Sequence, residues 1–482
     1  MFERALAAVE PGAAVEEALT GGGAAAGLAK TGGSRPSRVR MLAVGKAADA
    51  MARAALRLVP IESGILVTSQ PSMLPPDRVR TVVASHPLPD EGSLEAGRES
   101  LALVADLDPG DLLLVLLSGG ASAMLEAGPV PLADLRTCYE ALLQSGLDIR
   151  SLNEVRKGLS RVKGGRLAER AVMRGAHVVS LIVSDIVGDP IADIGSGPTA
   201  PSSSRGARGR KILEDANLWN TMPTSVKRTL GGSEGIESWR DRSGLVRAFI
   251  IANNETACKA AMEEGERRGY RTRILTTSLQ GEAREAGPRF VEDALSWIDT
   301  ASRRATIAGG ETTVTVCGTG RGGRNQEFVL SSVEKLERKP AVVLSCGTDG
   351  ADGNTDAAGA IADGETMSRA RALRLDPEEF LEANDSCRFF QALEDLIITG
   401  PTGTNVADIQ IVLEDRSRPL LAVNRGSRTQ PGSRTRQSPR RVRPSRRSLA
   451  PPQTVPSGRP PDLSLRGSSR VLRPRTSAQG PA

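Results

Sequence analysis

The chain has 482 residues, a mean hydropathy of −0.22, only 2 % aromatic residues and a formal net charge of +6 with a pI near 9.3. That length exceeds what one hydrophobic core usually serves, and the longest apolar run, Leu112 to Leu117, is far too short to span a bilayer, so two soluble domains and no membrane partner are expected. The few aromatics exclude a base-stacking platform, and the basic balance is local: residues 416–482 hold 16 arginines against the single acid Asp462, a net of +15 that leaves −9 for residues 1–415.

Cys138, Cys258, Cys317, Cys346 and Cys387 are odd in number and widely spaced, without the CxxC pairs of a zinc clamp or redox couple. They suit the reduced, mostly buried thiols of a cytoplasmic protein. Glu3, Arg4 and Glu10 interrupt the N-terminus, so no signal peptide is expected.

In chain order, residues 2–19 predict a helix, followed by a small-residue connection over 21–37. Val39 to Val44 is a short strand that ends in Gly45 and Lys46, and residues 47–58 have helical spacing. Lys46 thus stands at a strand-to-helix junction, where an ammonium can face a phosphate or simply be solvated. Strands follow at 61–68 and 79–84, then the rigid turn His86-Pro-Leu-Pro-Asp-Glu-Gly, in which His86 suits either a base or a turn-stabilising imidazole. The continuously apolar strand Asp111 to Leu117 predicts burial on both faces and runs into Ser118-Gly119-Gly120-Ala121-Ser122, whose small residues let backbone N–H groups and hydroxyls approach an anion.

Residues 151–171 predict one basic helix with Arg156, Lys157, Arg161, Lys163 and Arg166, a pattern that ordinarily marks a solvated face; Asn153 and Arg156 are its candidate ligand contacts. The next strand, 177–183, opens a loop carrying Asp185, Asp189 and Asp193, where carboxylates suit Mg²⁺ or turn-capping roles. A domain boundary is placed at 243/244, followed by a strand at 246–251, Asn254 at a helix start, a strand at 271–276 and a helix over 282–298. Residues 309–356 read as strand, glycine loop, helix, strand and aspartate-rich loop, a βαβ unit. Gly318, Gly320 and Gly323 satisfy GxGxxG, the dinucleotide fingerprint, but Arg321 and Arg324 inside the loop favour a phosphoryl group or carboxylate. Asp349 and Asp352 follow in the second loop. A short strand at 358–362, a helical stretch over 376–393 and two strands within 396–413 end the pattern. The tail from Arg416, rich in Arg, Ser and Pro, is expected to be disordered.

The motifs VGKAADAM, SHPLPDEGS, LLSGGASAM, LNEVRKGLSRVKGGRLA, SDIVGDPIADIGSGPT, NNETA, GGETTVTVCGTGRGGRNQE, CGTDGADGNTDAAGA and TGPTGTNVADIQ, in this order, resemble glycerate 2-kinases of the MOFRL type over residues 2–413. The resemblance implies an N-terminal doubly wound α/β domain (1–243), a smaller C-terminal α/β MOFRL domain (244–415) and an active site in the cleft between them. It also implies ATP and Mg²⁺ as cofactors, D-glycerate phosphorylated at its 2-hydroxyl, and Lys46 and Arg324 as catalytic residues. Their substitution is expected to cost turnover and leave stability nearly intact. Ser118, Gly119, Gly120, Ser122, Asn153, Arg156, Asn254, Gly320, Arg321 and Gly323 are the candidate substrate and nucleotide contacts, and Asp185, Asp189, Asp349 and Asp352 the candidate metal ligands. A homodimer is compatible with this reading.

The arginine-rich tail departs from that pattern, and its lysine-free composition resembles a high-GC gene read out of frame. Two other readings compete. An NAD(P)H-dependent hydroxypyruvate reductase rests on Gly318, Gly320 and Gly323 alone, and the strand after the loop, 341–345, ends in Cys346 and Gly347 rather than the acid that would hold a ribose. A nucleic-acid binder rests on the tail alone; the remainder is acidic, and no nucleic-acid partner is expected for it.

Overall fold

The computed structural model describes residues 1–21, 36–200, 207–232 and 244–417, all within the unit Met1–Leu421. Most of the connection expected over 21–37 and of the tail from Arg416 lies outside the described residues.

Six parallel strands form the first sheet: β1 (Val39–Val44), β2 (Ser63–Thr68), β3 (Val79–Val83), β4 (Leu112–Leu117), β5 (His177–Val183) and β6 (Val246–Ala252), in the spatial order β3-β2-β1-β4-β5-β6. Successive side chains of a strand point to opposite faces, so a strand covered on both sides must be apolar throughout. In β4, Leu112, Leu114 and Leu116 enter one core while Leu113, Val115 and Leu117 enter the other. The helices Pro11–Thr20 and Ala48–Leu58 cover the first face, and Glu91–Ala105 and Arg166–Met173 the second. The strand order turns back between β1 and β4. In doubly wound sheets, ligands bind in the crevice at such a switch point, beyond the carboxyl ends of the strands.

The second sheet contains β7 (Arg271–Leu279), β8 (Arg303–Gly310), β9 (Ala341–Gly347), β10 (Gly359–Asp363), β11 (Leu396–Ile397) and β12 (Asp408–Asp415), in the order β11-β10-β9-β12-β8-β7. Both β8 and β9 run antiparallel to β12, which lies between them. The βαβ unit expected over 309–356 is therefore split by a strand from the end of the domain. Its first strand also ends earlier than expected, at Gly310, and residues 311–323 form a long loop with one bridge, Glu282 to Thr313.

The expected helix 2–19 is two, Phe2–Ala8 and Pro11–Thr20, because Pro11 opens the second and the Glu10 carboxylate caps it by accepting from Gly12 N (3.0 Å) and Ala13 N (2.6 Å). The basic helix expected over 151–171 is also two, Ile149–Leu159 and Arg166–Met173, separated where Gly164 (φ 60°) and Gly165 (φ 80°) turn left-handed. Past residue 244, β6 still belongs to the first sheet, and the chain passes to the second at Asn253, where Asn254–Arg267 crosses to pack on β7 and β8. One apolar cluster runs through both sheets, from Phe2, Met41 and Met51 to Ile307, Ile409 and Ile411. Among the described residues no helix is long and apolar enough to cross a membrane.

Candidate active site

The loops leaving β1 and β4 are tied together. Lys46 N donates to Gly119 O (2.9 Å) and Ala47 N to Ser118 Oγ (3.0 Å). A side chain on Gly45 (φ 123°) would lie 2.4 Å from Ser118 Oγ, so glycine is required for this approach. Lys46 leaves the crossing with its side chain 41 % exposed and its Nζ 3.9 Å from Asp349 Oδ2, at the carboxyl end of β9 in the other sheet. The switch point of the first sheet thus faces the second.

Arg324 opens the helix Arg324–Leu336 and is held by two carboxylates. Its Nε and Nη2 donate to Asp408 Oδ2 (2.5 Å) and Oδ1 (2.9 Å), and its Nη1 lies 2.8 Å from Glu311 Oε1. Three of the five guanidinium N–H groups are engaged and two remain. Burial alone would lower its pKa, but the bonds to Asp408 and the charge of Glu311 outweigh it and raise the pKa further. Arg324 is a permanent cation.

Between the sheets lies a cleft of about 1080 Å³, lined among others by His86, Gly120, Ser122, Arg156, Asp185, Glu311, Gly320, Gly323, Arg324 and Asn354. Burial pushes Asp185, at the carboxyl end of β5, up to about 6, Lys46 opposing and Asp349 reinforcing the shift. Gly119 makes room for it: a Cβ there would sit 2.2 Å from Asp185 Oδ2. Glu311 is raised as well, chiefly by burial, with Arg324 opposing. The imidazole of His86, exposed to the cleft, is lowered to about 4 by desolvation, then Lys46, then Arg156, and is neutral near pH 7.

Other expected site residues have structural work. Ser118 is buried with its hydroxyl in the loop crossing. Asn153, fully buried, donates from Nδ2 to Asp193 O (3.1 Å) and accepts from Ser196 Oγ (2.9 Å), which also lies 2.9 Å from Ser122 Oγ. Asn254 donates to Val406 O (2.9 Å) and Asp408 O (2.8 Å), clamping the start of β12 to the start of the helix Asn254–Arg267. Arg321 is exposed and is not among the residues lining the cleft.

Five N–H groups of the glycine loop, which a pyrophosphate would need, are already engaged. Cys317 N and Gly318 N donate to Asn384 Oδ1 (both 2.8 Å), Gly320 N to Ala383 O (2.9 Å), Arg321 N to Asp385 Oδ1 (2.9 Å) and Gly322 N to Asn354 Oδ1 (3.0 Å). The following helix start is also occupied. Asp352, 2 % exposed, accepts from Asn325 N (3.0 Å) with one oxygen and from Gln326 N (2.9 Å) with the other. A side chain on Gly323 would meet that carboxyl at 2.4 Å, so this glycine admits Asp352. Asp352 is a helix cap, which leaves neither oxygen free of the helix. Asp189 (φ 53°) accepts from Asn253 Nδ2 (2.6 Å) and lines a separate cavity of about 210 Å³. Asp185 and Asp349 are the expected metal ligands that approach Lys46. Among the described residues no group of three or more His, Cys, Asp or Glu is arranged to hold a metal.

The solvated face expected for the basic run is overturned. Only Arg161 of the five stays exposed. Lys157 Nζ bonds Asp193 (2.9 Å) and Glu154 (3.1 Å), Lys163 pairs with buried Glu126, Arg166 donates to the carbonyls of Lys157 and Ser160, and Arg156 stacks over Tyr139 at 5.0 Å. Glu311 and Asp408, the partners of Arg324, were absent from the expected site. Both lie inside the motifs GGETT and NVADIQ, but only the paired strands β8 and β12 bring them to one arginine.

Residues 1–231 match a domain of unknown function, DUF4147, and residues 304–408 match the MOFRL family. Over 387 residues the chain is 42 % identical to D-glycerate 2-kinase of Thermotoga maritima, covering 78 % of this chain and 90 % of that one. The chain belongs to the glycerate 2-kinase family. The crystal structure of glycerate kinase from T. maritima superposes with a TM-score of 0.75 at 38 % identity, covering 86 % of this chain and 97 % of the other. This glycerate 2-kinase family member is also 39 % identical to a putative hydroxypyruvate reductase of Agrobacterium vitis, over 78 % of this chain and 99 % of that protein.

Proposed function

We infer that the chain transfers the γ-phosphoryl group of ATP to the 2-hydroxyl of D-glycerate in the cleft between its sheets. The observation that carries this is the approach of Lys46, at the switch point of the first sheet, to Asp349 of the second, with Lys46 packed against Gly120, which lines the same cleft as Arg324. Phosphoryl transfer asks a protein mainly to align the two oxygens and neutralise charge on the moving group. Lys46 supplies a mobile cation and Arg324 a fixed one. Gly120 and Ser122 line the cleft where phosphates would approach the backbone, with Gly119 behind them against Asp185, and Gly320 and Gly323 line the opposite wall. Asn254 and Asn153 position the walls, and Arg321 remains a peripheral contact.

Mg²⁺ binds with few protein carboxylates when phosphate oxygens and waters complete its shell, so the Asp185 and Asp349 carboxylates suit it, and it would neutralise charge on the phosphates. Burial raises the pKa of Asp185, and a bound cation would favour its ionised form. Asp189 and Asp352 are better explained by their hydrogen bonds. Reduction of hydroxypyruvate is disfavoured because five N–H groups of the glycine loop are already engaged.

Incubation with D-glycerate and Mg-ATP, followed by proton-coupled ³¹P NMR, tests this. Phosphate on C2 couples to one proton and gives a doublet, whereas phosphate on C3 gives a triplet. Absence of any phosphoglycerate, with NADH oxidised by hydroxypyruvate, would reverse the assignment.

A further inference from the structure

Arg156 is 6 % exposed, lines the cleft and has no carboxylate partner among the described residues. Its Nε is buried without a hydrogen bond. A guanidinium withdrawn from water with no counter-charge is costly unless something it binds restores the balance. Several charges that line the cleft with it are already paired. Asp193 is paired with Lys157 (2.9 Å), Glu327 with Arg284 (2.9 Å), and Arg324 with Asp408 and Glu311.

The arginine is also held rigidly. Its guanidinium lies over the Tyr139 ring, the Tyr139 hydroxyl donates to Glu126 Oε2 (2.7 Å), and Glu126 pairs with Lys163, which donates to Leu125 O (2.9 Å). Glu126 and Lys163 are each 1 % exposed. Stacking on a ring fixes the plane of the guanidinium, and the buried pair fixes the ring. Such preorganisation suits recognition of a planar anion by two parallel hydrogen bonds.

Position identifies the anion. The neutral imidazole of His86 feels both Lys46 and Arg156, and a side chain on Gly120 would meet His86 and Lys46 at 3.4 Å each. Arg156 lines the same cleft as His86 and Gly120, and Lys46 packs against that glycine. In a 2-hydroxy acid the carboxylate is bonded directly to the carbon bearing the reacting oxygen. We propose that Arg156 is the specificity residue that binds the acceptor's carboxylate, so that the site selects 2-hydroxy carboxylates over neutral polyols. This rests on the kinase reading and deepens it. A triphosphate, with several charges, is a poor match for one buried cation beside Asp148, Asp185 and Asp193.

The test compares full-length wild type, Arg156→Gln and Arg156→Lys with D-glycerate and with its uncharged isostere glyceramide, varying ATP separately. The expected result for Arg156→Gln is a rise of about 100-fold in KM for D-glycerate, an unchanged KM for ATP and unchanged turnover of glyceramide. If KM for ATP rises instead, or both acceptors lose equally, the assignment is overturned. Should Arg156→Gln not fold, Arg156→Lys carries the test, because it keeps the charge and loses the planar fork; a wild-type KM for D-glycerate in that variant overturns the proposal. Thermal shift separates the two readings. If the wild type proves not to phosphorylate glycerate, stabilisation by D-glycerate that is lost in Arg156→Gln still supports the carboxylate site, and equal stabilisation of both proteins overturns it.

Discussion

Arg324 and Asp408 form a two-pronged ion pair in which the carboxylate is fully buried and the guanidinium keeps a third of its side chain open to the cleft. A candidate catalytic residue is therefore also a counter-ion of the core. Arg324→Ala would leave Asp408 charged and unpaired, at a cost of about 3–5 kcal/mol. We expect a marked loss of thermal stability together with lost turnover, contrary to what the sequence alone suggests. Calorimetry on Arg324→Ala decides this, and an unchanged transition would dissolve the structural role.

Lys46 behaves differently. Its side chain is 41 % exposed, and its contact with Asp349 is long, 3.9 Å. Lys46→Ala is expected to change stability by no more than about 0.5 kcal/mol. Turnover should fall by about 10²–10³, the usual loss when a preorganised charge-stabilising donor is removed. A variant with near-normal kcat would remove Lys46 from the mechanism.

The Asp185 carboxyl, pushed to about 6 from 3.8, is more readily protonated in the folded chain than in the unfolded one. Its contribution is most favourable below the unfolded pKa and is lost as pH rises through the folded one. At pH 8 the ionised, half-buried group costs about 2 kcal/mol, allowing for its contact with water in the cleft. Asp185→Asn should therefore raise the urea midpoint at pH 8 in ligand-free protein, with the gain vanishing towards pH 4. A gain of equal size at both pH values would mean that Asp185 is not the titrating group.

Truncation after Ser417 removes fifteen arginines and one aspartate, and reverses the sign of the net charge. The last strand, β12, ends at Asp415, and Arg416 N still donates to Ser302 O (2.8 Å), so this cut leaves the described fold whole. Kinase activity and thermal transition are expected to be unchanged. Any salt-sensitive retention on DNA should disappear, since it would come from counterion release by the arginines. Loss of solubility would make the tail part of the fold.

The two buried strands around the switch point were legible because an all-apolar run such as Leu112 to Leu117 has few other stable settings in a soluble chain. Lys46 was legible for the same reason: the run before it ends abruptly in glycine and a cation. The fates of Lys157, Lys163 and Arg156 were not legible, because their partners Asp193, Glu126 and Tyr139 sit on other elements and charge spacing along one helix cannot reveal them. The pair Arg324–Asp408 spans 84 residues, and β12 enters between β8 and β9 out of chain order. Local pattern reports periodicity and turns; it carries no record of which distant strand will be inserted.

The apolar cluster shared by the two sheets has a consequence for how this architecture is inherited. Phe2 and Met51 meet the same core as Ile307 and Ile411, and Thr404 Oγ1 donates to Val9 O (2.8 Å) near the start of the chain. Neither half can be cut away without baring the other's apolar surface, which water disfavours. The DUF4147 and MOFRL segments are thus partners in one folding unit, and a genome that split them between two genes would need the products to find each other before either became soluble.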